Sequence, residues 1–283
     1  MSGFDSFIAI DWSGAKGRRH KGIAVARATP RDAAPELVKP DGVWSRTAIR
    51  DWLLELARNG ERALVGFDFS FAPPFVARGA YLPGDALPET GPDLWAYIDA
   101  LCVDEDLGAA SLLEQHHRRH FYFGAADGRK ADYMHFRQCE LAFNATGGGK
   151  PSTVYDAIGA AQVAKASFAG MRLLHHLRGP YAVWPFDASD PARGLVVEIY
   201  ARAFIRMAGL RGLKLRDRTS LDGALVALGS APYAGESALT DHDTDALVTA
   251  AGLRRIAGEA AYWRPAGLTE AIGRTEGWTF GVL

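Results

Sequence analysis

Residues 7–26, FIAIDWSGAKGRRHKGIAVA, decide how the chain is read. Phe7, Ile8, Ala9 and Ile10 run without interruption into Asp11, a turn rich in Gly, Lys and Arg follows, and a second apolar run occupies residues 22–26. An unbroken apolar run predicts a strand buried on both faces. A carboxylate at the carboxyl end of such a strand lies where open α/β sheets place their ligands. Asp is also a common turn residue, so Asp11 alone does not decide between a turn and a site.

The same pattern returns twice. Residues 63–67 form an apolar run that meets Asp68, and FSFAPP then stops the strand at paired prolines. Residues 194–197, GLVV, run into Glu198. Between the first two runs, residues 29–40 read as a loop with a short third strand. A helix follows, with Ser45 as its cap, Ile49, Trp52, Leu53 and Leu56 on one face, and Gly60 as its stop. Residues 72–193 lack the strand-then-acid pattern and carry proline-rich turns and helical stretches at 92–101 and 157–177. They read as a largely helical insertion of about 72–193 in a core of 1–71 and 194–283. A basic helical segment is expected at 204–222. A last helix opens on Asp241, Asp243 and Asp245, of which Asp241 and Asp245 share a face. The expectation is one α/β domain over 1–283, a central sheet flanked by helices.

Composition sets bounds. The 283 residues are 48% hydrophobic and 23% charged, as in ordinary globular proteins, and the net charge of −1 points to no particular partner. Cys102 and Cys139 have neither metal spacing nor a disulfide pattern and fit a reducing compartment. The N-terminus lacks the basic start of a secretory signal, and no run approaches the ~18 apolar residues of a membrane span. A cytoplasmic protein with no membrane partner is expected.

Carboxylates at the ends of several strands of one sheet reach a common edge if the strands share direction there. Such acids repel one another unless a cation neutralises them. Mg²⁺ and Mn²⁺ take oxygen ligands of this kind, and in two-metal sites ions about 4 Å apart activate water and stabilise the leaving oxygen of a phosphodiester. Each acid also has a plain structural role open to it. Asp68 could belong to a turn, Glu198 could pair with Arg202 or Arg206, and Asp241 could cap its helix with Asp243 facing the dipole.

Asp11 between two strands, an acid after the next central strand and a late helix opening on Asp245-Ala246 resemble the ribonuclease-H-like superfamily. The ordered segments AIDWSG, VGFDFSFAPP, KPSTVYDAIGAAQV, VWPFD, VVEIYARAF, DHDTDALVTAA and EGWTFGV together resemble domain-of-unknown-function family 429, over nearly the whole chain. That resemblance implies a ribonuclease-H-like mixed sheet and a metal-dependent nuclease acting on RNA or DNA. It implies Asp11, Asp68, Glu198 and Asp245 as catalytic acids and Asp11, Asp68, Asp245 and Asp241 as ligands of Mg²⁺ or Mn²⁺. Asp68 departs from the Glu that many nucleases of this fold carry.

Two basic segments suit a phosphate backbone. One is the turn holding Lys16, Arg18 and Arg19; the other is residues 115–137, where basic groups alternate with Phe121, Tyr122, Phe123 and Tyr133. Lys150 and Arg202 join Lys16, Arg18 and Arg19 as candidate substrate contacts. A solvated face over a buried aromatic stripe is the competing reading of residues 115–137. His116, His117 and His120 lack the Glu of the HExxH zinc pattern, and in TGGGK Lys150 precedes a proline that removes a phosphate-loop donor. Two other functions stay open: an actin-like ATPase or small-molecule kinase, which also begins on Asp-x-x-Gly between strands, and a non-catalytic binding protein on a nuclease-like fold.

Overall fold

The computed structural model describes residues 3–149, 152–159, 162–210, 214–215 and 217–283. Its centre is a six-stranded mixed sheet in the order β3-β2-β1-β4-β6-β5. The strands are β1 (Ser6–Asp11), β2 (Ala24–Ala28), β3 (Glu36–Leu37), β4 (Ala63–Phe67), β5 (Tyr181–Val183) and β6 (Gly194–Glu198). β1, β2 and β3 form an antiparallel meander, while β4 lies parallel to β1, and β6 parallel to β4 and β5.

The helices are α1 (Arg46–Arg58), α2 (Gly91–Leu101), α3 (Gln138–Ala145), α4 (Val163–Leu177), α5 (Ala201–Met207), α6 (Arg218–Ala227), α7 (Asp241–Ile256), α8 (Ala260–Trp263) and α9 (Glu270–Thr275). They cover both sheet faces, and strand alternation sends side chains to each. Ile8, Ile10, Val65, Phe67 and Val196 join one core with residues of α1, α2 and α4. Phe7, Ala9, Leu64, Leu195 and Val197 join a second core with α5, α6 and α7. Burial on both faces is why these strands read as continuous apolar runs.

Several sequence expectations are adjusted. The helix expected over 157–177 begins at Val163, and the basic segment 204–222 is divided between α5 and α6. The insertion is not purely helical. Its residues Tyr181–Val183 are fully buried and add β5 to the edge of the sheet, where the Tyr181 hydroxyl donates to the Leu53 carbonyl at 2.9 Å.

Gly66 in β4 decides how closely α7 can lie. A Cβ there would stand 2.6 Å from Ile199 Cγ2 and 3.0 Å from Leu253 Cδ1. Only a residue without a side chain lets α7 settle this close to the strand, and α7 carries Asp241, Asp243 and Asp245.

Candidate functional site

Parallel β1, β4 and β6 all end at one edge. Ile10 pairs with Phe67 and Phe67 with Glu198, so Asp11 and Asp68 come one residue beyond the row that holds Glu198, all at the same edge of the sheet. Asp245 comes to the same edge from the first turns of α7, which packs across β1 and β2.

The four acids are in two chemical states. Asp11, Asp68 and Asp245 interact through their charges and lack a full set of donors. The Asp68 side chain receives no hydrogen bond from the described residues; burial, then the charges of Asp11, Asp245 and Glu198, hold its pKa well above the usual range. Oδ1 of Asp245 is buried without a hydrogen-bond partner among the described residues. Burial, then the charge of Asp11, raises the Asp245 pKa to about 7. Burial also raises Asp11, against the hydrogen bond and charge of His242. His242 Nδ1 lies 2.6 Å from Asp11 Oδ2, and that contact raises the imidazole pKa.

Glu198, placed with the catalytic acids from the sequence, differs from the other three in already having its donors. Its carboxylate takes a two-pronged contact from buried Arg137, Nη2 to Oε1 at 2.6 Å and Nη1 to Oε2 at 2.7 Å. The Thr279 hydroxyl adds 2.7 Å to Oε1 and the Phe71 amide 2.8 Å to Oε2. The partner is Arg137, not Arg202 or Arg206, and these four donors leave Glu198 no room for a further ligand.

The helix acids also separate. Thr240 is the N-cap of α7, and Asp243 completes a capping box with it, accepting from the Thr240 amide at 2.8 Å. Asp241, expected as a ligand or cap, is an exposed residue whose carboxylate pairs with Lys214. Asp245 is left as the acid of α7 that reaches the strand ends.

Sequence reasoning passes over His242, although the signal is there. It stands three residues before Asp245, so both fall on one helix face. Asp11, Asp68 and Asp245 supply carboxylate oxygens of the kind that hold Mg²⁺ or Mn²⁺, and His242 adds an imidazole beside them. The orphaned Asp245 Oδ1 and the mutually repelling carboxylates fit a cation at this edge. Among the described residues no group of three or more His, Cys, Asp or Glu side chains is already placed to hold a metal ion, and Asp11 is engaged with His242.

The basic residues are mostly occupied. Lys16 pairs with Glu114 at 3.0 Å and Arg18 with Glu105 at 2.6 Å, which fastens the turn after β1 to the insertion. Arg19 is exposed and borders a cavity of about 440 Å³ with Asp41, Ser45 and Thr47. Arg202 is half-buried beside Tyr200, a tyrosine that also senses Asp68 and Asp245. Lys150 lies outside the described residues. Under the turn, buried Arg46 donates to the carbonyls of Ser13 at 2.8 Å and Ala15 at 2.6 Å. Asp106 receives His20 and the amides of Arg46 and Thr47. The loop following Asp11 is thus held from below by α1 and the insertion.

Residues 115–137 fit the solvated-face reading better than an open basic platform. Arg118 lies 4.1 Å over Phe123 and pairs with Asp127, Lys130 pairs with Asp156, and Arg129 with Asp132. His117 and His120 both bond to Asp85, at 2.7 and 2.8 Å, and His117 Nε2 meets the Tyr97 hydroxyl at 3.0 Å. Asp85 therefore orders these histidines as a hydrogen-bonded cluster.

Compared with family models, with curated proteins and with solved structures, the chain matches none.

Proposed function

We propose that the chain is a ribonuclease-H-like, divalent-metal-dependent nuclease whose site is formed by Asp11, Asp68 and Asp245 with His242. One observation carries this reading: three carboxylates from β1, β4 and α7 meet at one sheet edge, burial raises all three pKa values, and the charges of neighbouring acids raise those of Asp68 and Asp245 further. A folded protein keeps such a costly group where charge is to be neutralised by a ligand, and perturbed carboxylates cluster at functional sites. The strand order, with an antiparallel β1–β3 meander beside parallel β4 and β6, agrees with the sequence resemblance to that superfamily.

Asp11, Asp68 and Asp245 would hold Mg²⁺ or Mn²⁺, with His242 completing the set. The bound cation would supply Lewis-acid stabilisation of a phosphodiester and a more acidic water. In the metal-free protein His242 Nδ1 engages the Asp11 carboxylate, and a cation would displace that contact. Arg202 and exposed Arg19 remain as phosphate contacts, whereas Lys16 and Arg18 would first have to leave Glu114 and Glu105. The substrate proposed is nucleic acid, RNA or DNA. The ATPase reading gains no support, because the described strands form a single sheet with one β1–β2 unit.

The test is Mn²⁺ binding by calorimetry alongside cleavage of RNA, DNA, hybrid and branched substrates. Wild-type protein is expected to bind Mn²⁺ and cut at least one of them, and Asp11→Asn to lose both. Absence of binding in the wild type, or an Asp11→Asn protein that binds and cuts like its parent, would sink the proposal.

A further inference from the structure

Asp68 has no side-chain hydrogen bond from the described residues, so its direction depends on how its backbone is held. On one side its amide donates to the Ile10 carbonyl at 3.1 Å, which ties it to β1. On the other side the chain leaves the sheet at once, through Ser70 and Phe71. There the Phe71 amide donates to Glu198 Oε2 at 2.8 Å, and Arg137 Nη2 reaches Ser70 Oγ at 3.3 Å. The Ser70 amide is additionally held by Ser167 Oγ of α4 at 3.2 Å.

Glu198 and Arg137 are thus the main anchors of the segment that follows Asp68. Arg137 comes from the insertion, immediately before α3, and is 1% exposed. Besides Glu198 it bonds Glu140 through Nε at 3.0 Å and the Glu276 carbonyl at 3.3 Å. Glu276, itself fully buried, accepts the amides of Phe75 and Val76 at 2.7 Å and of Gln138 at 3.1 Å. Two segments of the insertion, at its start and just before α3, are therefore tied to one buried knot beside the site. Stability alone does not require a charged knot, since well-packed apolar residues often replace a buried ion pair without loss. The guanidinium fork adds a fixed direction, because its two parallel bonds allow one orientation of Glu198.

We propose that Arg137 is a positioning residue of the carboxylate site: acting through Glu198, it holds residues 68–71 so that Asp68 is presented beside Asp11 and Asp245. Site assembly then depends on docking of the insertion. This inference rests on the reading of Asp11, Asp68 and Asp245 as cation ligands, and it assigns Glu198 a supporting place behind them. Outer partners of ligating carboxylates commonly change metal affinity by about 10- to 100-fold.

The test compares Mn²⁺ affinity, by calorimetry, with thermal unfolding of the metal-free protein. The decisive variant is the double substitution Arg137→Met with Glu198→Met, which removes one charge of each sign and leaves the net field at the site nearly unchanged. It is expected to fold with a lowered Tm, because Glu140 also loses its guanidinium partner, and, while folded, to bind Mn²⁺ about tenfold or more weakly. Arg137→Lys, which keeps the charge but loses the fork, is expected to weaken Mn²⁺ binding too, and it decides the matter if the double variant does not fold. Parent-like affinity in the double variant or, failing that, in Arg137→Lys overturns the proposal and leaves the carboxylate reading intact. Loss of binding in Glu198→Gln with none in Arg137→Lys overturns it differently, by making Glu198 a direct ligand. A wild-type protein that binds no Mn²⁺ removes the carboxylate reading and this inference together.

Discussion

Two groups of acids lie at one sheet edge, with Phe67 and Glu198 in register and Asp68 the next residue. Glu198 has four donors, two of them from a buried guanidinium. Asp11, Asp68 and Asp245 share little beyond His242 and one another. Position at a strand end is the same for Asp11 and Glu198, so position does not separate a functional acid from a structural one. The count of donors already supplied by the protein does. A carboxylate with its lone pairs filled holds the fold; carboxylates with few donors and elevated pKa values are the candidates for a ligand, as proposed above.

The comparison breaks most sharply at Arg137. Arg137→Met alone leaves Glu198 buried and charged, and is expected to cost about 3–5 kcal/mol of stability in urea unfolding. In contrast, Asp68→Asn should leave the metal-free protein as stable as its parent or more stable, because it removes a repelling charge. Equal losses from the two variants would erase the distinction between filled and unfilled acids.

The next effect is in pH. Asp245, raised from 3.8 to about 7, binds a proton more tightly in the folded state than in the unfolded state. Its contribution to stability is therefore present below about pH 4 and is lost as pH rises to about 7. The bond from His242 to Asp11 works in the same direction, since a raised imidazole pKa favours the folded state while the ring is protonated. Metal-free protein is expected to lose up to roughly 4 kcal/mol from Asp245 over that window. Asp245→Asn should flatten the slope, and Mn²⁺ should raise Tm more at pH 7 than at pH 5. A slope unchanged in Asp245→Asn would place the perturbed group elsewhere.

A smaller loss is expected at Gly66, which sets the distance between the two layers that bring Asp68 and Asp245 together. Gly66→Ala places a methyl group 2.6 Å from Ile199 Cγ2, so α7 or Ile199 must shift. Overpacking of this kind costs about 1–3 kcal/mol, and Mn²⁺ affinity should fall with it because Asp245 travels with α7. A stability loss with unaltered affinity would mean that Ile199 absorbs the strain instead.

Much of this arrangement is legible in the amino-acid sequence. The apolar runs ending at Asp11, Asp68 and Glu198 mark the parallel strands and their shared edge, since a strand buried on both faces leaves an unmistakable composition. The amphipathic face of α1 and its Ser45 cap are equally plain. The division of labour among the acids is not. Arg137 lies 61 residues from Glu198 in a segment whose other arginines and lysines are not buried, and no local pattern tells a buried guanidinium from a solvated one. His242 is hidden for the opposite reason, because it sits among three aspartates whose own spacing dominates the pattern. β5 escapes notice because three residues are too few for a period to show.

The smallest expected effect concerns the turn after β1. Lys16–Glu114 and Arg18–Glu105 are well exposed, and exposed pairs contribute between nothing and about 1 kcal/mol. Lys16→Ala with Arg18→Ala should therefore change unfolding stability by less than about 1 kcal/mol, and less again in 1 M salt, where screening reaches within about 3 Å. Nucleic-acid binding is the sharper measurement. If the two cations exchange their carboxylates for phosphates, the double variant should bind more weakly and show a shallower salt dependence, while Glu105→Gln with Glu114→Gln should bind more tightly. If neither pair of substitutions moves the affinity, Lys16 and Arg18 are tethers between the β1 turn and the insertion. Phosphate contact would then fall to Arg19 and Arg202, neither of which forms a carboxylate salt bridge among the described residues.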